Sequence, residues 1–199
     1  YEWQWWGMNG NANVVGDYSS VGITAFRKWL REKYTSVEAL RQAWGDSSVT
    51  FETAGVPDKA ARTATTFGSV LSATENRHAI DYELFMGDMK TDAMLYFAEV
   101  AKKAVDGRLM VGTYAGYLLN VINYDMASST SQTSFQRILD SAYIDFITCP
   151  WLYSEREIGY SGDYMSAVDS VTAHGKLYIA EDDDRNHTTD MFEAPDARA

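Results

Sequence analysis

Lys176-Leu177-Tyr178-Ile179-Ala180 runs directly into Glu181-Asp182-Asp183-Asp184-Arg185. A short apolar run that stops at a carboxylate reads as a buried strand of a parallel sheet with an acid at its carboxyl end. Two further runs have the same form, Leu109-Met110-Val111-Gly112-Thr113-Tyr114 and Tyr143-Ile144-Asp145-Phe146-Ile147-Thr148. Cys149-Pro150-Trp151 is expected to close the second, because proline cannot continue a central strand. Helical patterns stand between the strands. Asn76 to Ala104 precedes the first, Phe135, Ile138 and Leu139 follow it, and Met165, Val168 and Val171 lead to Gly175 before the last. A fourth strand is expected to end at the chain start, in Tyr1-Glu2-Trp3-Gln4-Trp5-Trp6. Strands alternating with helices argue for parallel β/α units. Right-handed crossovers could build either an open doubly wound sheet or part of a (β/α)8 barrel.

The amino-terminal part is helical. After a Gly/Asn-rich loop from Gly7 to Gly16, the spacing of Phe26, Trp29, Leu30 and Tyr34 marks one face of a helix. Ser19 and Ser20 read as its caps. Thr35 with Glu38 has the spacing of a capping box for a second, short helix, with Leu40, Ala43 and Trp44 on its apolar face and Gly45 at its end. Asp46 to Thr74 carries Pro57 and no sustained period, and is read as a long loop. Within Asn76 to Ala104, Ile80, Leu84, Leu95, Ala98 and Ala101 keep one face. Phe85, Met89, Tyr96 and Val100 widen it, so a largely buried helix is expected, with Gly87 as a kink or a close contact.

Composition limits the function. The 199 residues carry 28 Asp and Glu against 17 Lys and Arg, a net charge of −11. That sign argues against a phosphate-backbone partner and against docking on anionic lipid. No apolar run approaches the roughly 20 residues of a membrane span. One cysteine, Cys149, excludes an internal disulfide and leaves the compartment open. Aromatic residues reach 14%, enough for both a core and a sugar-stacking surface.

Several residues could carry chemistry, each with a plainer alternative. Glu181 ends a parallel strand, where α/β folds place their sites, and so suits a nucleophile or base; it could also simply open a charged loop. Asp182, Asp183, Asp184 and His187 beside it could suggest a hard-metal site, or a solvated acidic loop. Glu2 stands among Trp3, Trp5 and Trp6, and apolar walls raise a carboxyl pKa as a general acid requires; it could equally be a frayed terminal residue. Tyr114, Tyr117, Trp151 and Tyr153 follow the other two strands on one face, where they could stack on sugar rings or pack as core. His78 reads as a partly buried structural histidine and His174 as a helix C-terminal cation. No GxGxxG or P-loop pattern is present, so a nucleotide cofactor has no support.

Three segments together carry a resemblance. Gly16-Asp17-Tyr18-Ser19, then Phe26-Arg27-Lys28-Trp29-Leu30-Arg31-Glu32-Lys33-Tyr34, then Leu40-Arg41-Gln42-Ala43-Trp44-Gly45, resemble the family 42 glycoside hydrolases and their β-galactosidase-like relatives, retaining enzymes of clan A. His174 to Arg185 is similar to the nucleophile strand of that group, and the resemblance runs from Tyr1 to about His187. It implies a (β/α)8 (TIM) barrel whose acid/base ends strand four and whose nucleophile ends strand seven. Counting from Glu2 as the end of strand four makes Leu109–Tyr114 strand five, Tyr143–Thr148 strand six and Lys176–Ala180 strand seven. Glu181 then falls at the end of strand seven. The clan commonly has Asn directly before the acid/base, and this chain has Tyr1 there.

The expected fold is therefore α/β, a partial barrel of about strands four to seven with their helices over residues 1–187, and a tail over 188–199. Strands one to three and a convincing eighth are absent, so the chain reads as an excised or processed piece of roughly half a barrel. The resemblance implies a glycosidase with catalytic Glu181 and Glu2, and with Trp3, Tyr114, Trp151, Tyr153 and Arg185 about a carbohydrate substrate, without metal or cofactor. Two rivals are a non-catalytic carbohydrate-binding remnant and a metal-dependent hydrolase on an open sheet. Open sheet edges lead to an expectation of self-association, or pairing with a missing barrel half.

Overall fold

The computed structural model of the chain describes residues 16–64, 70–117, 133–151 and 163–181. Two compact units divide the chain, one of Tyr1–Met94 with Val121–Phe135, the other of Leu95–Asn120 with Gln136–Ala199. The fourth strand expected at the chain start, and the tail, lie outside the described residues.

In the first unit, helix α1 (Ser20–Lys33) begins at Ser19, whose hydroxyl accepts from the Gly22 N–H. Phe26 and Leu30, four apart, are buried on its inner face. Helix α2 (Val37–Trp44) is capped by Ser36, which accepts from Ala39 N–H, rather than by Thr35 as the capping-box spacing suggests. Ser36 holds the extended backbone that an N-cap needs, and its hydroxyl reaches the third helical N–H. Gly45 ends α2 in the left-handed region, at φ 64°. The stretch read as a long loop contains a short helix, α3 (Lys59–Thr63), capped by Asp58, and it sends Val49 and Ala54 into the core. Five residues are too few to show a helical period, which is why the pattern was silent.

Phe26 is the centre of this core. Its ring meets Tyr82 edge-on at 5.1 Å and Phe85 at 5.3 Å, and stacks toward Trp29 and Trp44 at 6.3 and 6.4 Å. Tyr82 and Phe85 come from helix α4 (Arg77–Ala104). Gly87 on α4 is a close contact: a Cβ there would stand 2.1 Å from Thr133 Oγ1. His78 is held as a structural residue, with Nε2 2.7 Å from the Gly55 carbonyl and its ring stacked on Trp44 at 4.1 Å.

A buried carboxylate ties these helices together. Asp81 is fully buried, accepts three hydrogen bonds and pairs with a second cation. Lys33 Nζ donates to Oδ1 at 2.9 Å, and Arg77 Nε forms an ion pair with the same oxygen at 3.1 Å. The Tyr34 hydroxyl and Trp44 Nε1 donate to Oδ2 at 2.6 and 2.8 Å. Burial, and the bond to Asp81, push the Tyr34 hydroxyl up to about 12, so it remains a donor.

The second unit holds three parallel strands, β1 (Gly112–Tyr114), β2 (Phe146–Pro150) and β3 (Leu177–Glu181), in the order β1-β2-β3. Helix α5 (Phe135–Leu139) lies between β1 and β2 in sequence, and α6 (Val168–Ala173) between β2 and β3. Sequential parallel order is how successive strands of a (β/α)8 barrel are laid down; a doubly wound sheet reverses its order at a switch point. The described part is a three-stranded piece consistent with a partial barrel.

The strands differ from expectation at their ends. The first starts at Gly112 rather than Leu109, and Leu109 and Met110 are exposed. The cause is Asp145, whose carboxylate takes the Val111 N–H at 2.7 Å while its own N–H donates to the Val111 carbonyl at 2.7 Å. A side chain thus occupies the donor that a ladder would use. Pro150 does not end the second strand but is its last paired residue, opposite Glu181. It stands beyond the last β1 partner, Tyr114 opposite Thr148, so its missing N–H breaks no bond of the ladder on that side. The carboxyl half of α4 is also less buried than its pattern suggests. Tyr96, Phe97 and Val100 are exposed, and of residues 95–104 only Ala98 is buried. Its sheet-side contacts are polar instead, Glu99 accepting from the Tyr143 hydroxyl at 3.1 Å and Lys102 pairing with Asp145.

Two stability predictions follow from these carboxylates. Asp81→Ala leaves two cations and two partly buried donors without their acceptor, and should cost about 3–5 kcal/mol in urea unfolding. For Asp145, burial raises the carboxyl pKa, but the bonds from Lys102 and Val111 outweigh it and hold the group below its ordinary value. A depressed carboxyl contributes stability above its unfolded pKa of about 3.9 and loses it as pH falls through the folded value. The melting temperature should therefore fall more steeply below about pH 4 in the wild type than in Asp145→Asn, followed by circular dichroism.

Candidate active site

Parallel pairing sorts the sheet side chains onto two faces. Gly112, Phe146 and Leu177 form one row; Tyr114, Thr148 and Ile179 the next; Pro150 and Glu181 the last. Because side chains alternate along a strand, these three rows share a face. Ile147, Tyr178, Cys149 and Ala180 belong to the other, and Ile147 and Cys149 there are fully buried. The Glu181 face is the open one: Leu177 is 55% exposed, Ile179 45% and Tyr114 38%. Gly112 leaves room on it for the Phe146 ring, which a Cβ there would meet at 2.2 Å.

Glu181 is the last residue of β3, half-buried, with Pro150 as its ladder partner. Its carboxylate thus stands at the carboxyl edge of the sheet on the open face. Tyr114 ends β1 on the same face, two strands across and two residues down the ladder. Standard strand spacings put their Cα atoms about 12 Å apart, a span that a sugar ring and its substituents can bridge. Thr148 and Ile179 lie between them on the floor.

Trp151 is placed differently. It follows Pro150, forms an isolated antiparallel bridge with Tyr164, and packs its ring 5.1 Å from the Tyr164 ring. Tyr164 in turn meets Tyr178 edge-on at 5.4 Å. This joins Trp151 to a residue of the covered face rather than to Tyr114. Burial pushes the Tyr178 hydroxyl well above its ordinary value, and it donates to the Cys149 carbonyl at 3.3 Å. Tyr117, expected with the loop aromatics, is 1% exposed and packs as core.

The structure therefore brings Glu181 and Tyr114 to one face and sets Trp151 at the sheet's edge. Glu2, Trp3, Tyr153 and Arg185 lie outside the described residues, as do Asp182, Asp183, Asp184 and His187. Among the described residues, no group of three or more His, Cys, Asp or Glu is placed to hold a metal ion. No helix there is long and apolar enough to cross a membrane. His174 caps α6, its Nδ1 2.6 Å from the Ser170 carbonyl and its Nε2 3.6 Å from Asp140. Sequence reasoning passed over Tyr164 because it stands alone after a Gly/Tyr loop, with no period to mark it.

Comparison with protein families gives a match. The family model described as beta-galactosidase, for glycoside hydrolase family 42, matches residues 4–148, well over half of the chain. The matched span covers α1 to α5, β1 and the first part of β2; it contains neither Glu2 nor Glu181. No curated protein matches the chain.

Proposed function

The chain belongs to the family 42 glycoside hydrolases, the beta-galactosidase family, and from that premise we propose that it is the site-bearing part of a retaining β-glycosidase acting on β-galactosides or related sugars. The observation that carries this reading is the position of Glu181, last in the third parallel strand and on the open face of the sheet. The carboxyl ends of barrel strands are where barrel enzymes hold their catalytic groups.

In the proposed reaction the Glu181 carboxylate attacks the anomeric carbon. The bond from that carbon to the leaving oxygen breaks, and the Glu2 carboxyl gives the oxygen its proton. Glu2, now a carboxylate, takes a proton from water, and the resulting hydroxide displaces Glu181 from the sugar. Both displacements invert, so the configuration is retained. Tyr114 shares a face with Glu181 and presents an aromatic wall; Trp3 and Tyr153 complete the subsite, and Trp151 borders it. Arg185, four residues after the nucleophile, steadies the neighbouring carboxylates. Two carboxylates and water suffice for this chemistry.

Incubation with a 2-fluoro aryl β-galactoside should attach one sugar per chain, located at Glu181 by peptide mass mapping. Glu181→Gln should abolish both labelling and turnover. A label on another carboxylate would remove Glu181 from the mechanism, and galactoside binding with no label would favour a carbohydrate-binding protein of the same fold. Glu2 is tested by leaving groups, since loss of a general acid hurts poor leaving groups most. Glu2→Ala should lower hydrolysis of ordinary galactosides about 10²–10⁴-fold while largely sparing the first step on an activated aryl galactoside. Equal losses on both substrates would contradict the acid/base role.

A further inference from the structure

We propose that Tyr164 is a positioning residue for Glu181: its ring fastens the carboxyl ends of β2 and β3 to each other and so sets where the Glu181 carboxylate stands. The parallel ladder between these strands stops at Pro150 opposite Glu181. Beyond that pair β2 takes a different partner, as Trp151 enters an antiparallel bridge with Tyr164.

Tyr164 supplies contacts to both strands at this place. Its ring lies 5.1 Å from Trp151, tilted by 40°, and 5.4 Å from Tyr178, nearly edge-on at 83°. Trp151 directly follows the ladder partner of Glu181, and Tyr178 is three residues before Glu181 on β3. The Tyr178 hydroxyl crosses back to the Cys149 carbonyl, closing a loop of contacts from β2 through Tyr164 to β3. Edge-on and tilted aromatic pairs favour particular ring geometries and so resist shear as well as separation. Tyr164 is 40% exposed and packs its ring against Trp151 and against Tyr178 of the covered face. Its effect on chemistry would pass through Glu181, and that consequence rests on the reading of Glu181 as nucleophile. A retaining enzyme holds its two carboxyl groups at a fixed short separation, so drift at a strand end costs rate rather than binding.

The test has two arms, both on the full chain. In hydrogen exchange, Tyr164→Ala should speed the Trp151 and Glu181 amides about tenfold or more, the loss of two aromatic pairs. The Ile147 and Ile179 amides, in the middle of the ladder, should keep their rates. Tyr164→Phe retains the ring and should match the wild type. Should Tyr164→Ala not fold, Tyr164→Leu gives the same comparison. In the second arm, labelling by the 2-fluoro aryl β-galactoside should slow about tenfold in Tyr164→Ala, at unchanged sugar affinity, and recover in Tyr164→Phe. Unchanged exchange at Trp151 and Glu181, or equal acceleration at all four amides, would overturn the proposal. Failure of the wild type to label would sink the nucleophile reading instead, while the exchange arm still decides whether Tyr164 fastens the strand ends.

Discussion

The parallel ladder between β2 and β3 is the constraint on which the site depends. Five residue pairs, from Phe146 opposite Leu177 to Pro150 opposite Glu181, set the register of the two strands. A slip of one residue would turn Glu181 to the covered face and bring Ala180 to the open one, because side chains alternate with period two. The register is held from below by Asp145, which bonds both β1 through Val111 and α4 through Lys102. It is held there also by Lys176, whose Nζ donates to the Ser141 and Ile144 carbonyls at 2.6 Å. Conserving geometry at the amino ends of the strands while leaving the carboxyl ends for chemistry is the division of labour expected of a barrel.

The helical unit obeys a different constraint. Lys33, Tyr34 and Trp44 look scattered along the sequence, on α1, past its end and on α2, yet all three bond to Asp81 of α4. Trp29 makes a parallel contact, its Nε1 donating to Asp88 at 2.9 Å, and Ser134 donates to the other oxygen of the same carboxylate at 2.6 Å. Four of the residues that carry the family resemblance in this region, Trp29, Lys33, Tyr34 and Trp44, are therefore donors to two acids on one helix. The resemblance has a structural cause here: a core of aromatic rings around Phe26 would otherwise bury their polar atoms unsatisfied.

Much of this architecture was readable from the sequence, for identifiable reasons. Phe26 and Leu30, or the long proline-free run to Ala104, carry a period that survives in the fold. The run into Glu181 has the length and composition of a parallel strand. What escaped reading lacks a period or depends on a distant partner. Asp81 carries no local mark; its role exists only once α1, α2 and α4 meet. The start of β1 at Gly112 is decided by Asp145, 33 residues later, and the inclusion of Pro150 in β2 depends on where β1 stops. Trp151 reads from sequence as one more aromatic on the site face, and only its bridge to Tyr164 separates it from Tyr114. The pairing of Glu2 with Glu181 came from counting strands within a family resemblance, not from any local signal.

That pairing is the centre of the functional account, and one distance tests it. In a crystal structure of the protein with a galactoside-like inhibitor bound, the carboxyl groups of Glu2 and Glu181 should stand about 5–5.5 Å apart, on either side of the scissile bond. A separation of about 6.5–9.5 Å would indicate an inverting reaction, and Glu2 turned away from the sugar would contradict the two-carboxylate mechanism altogether.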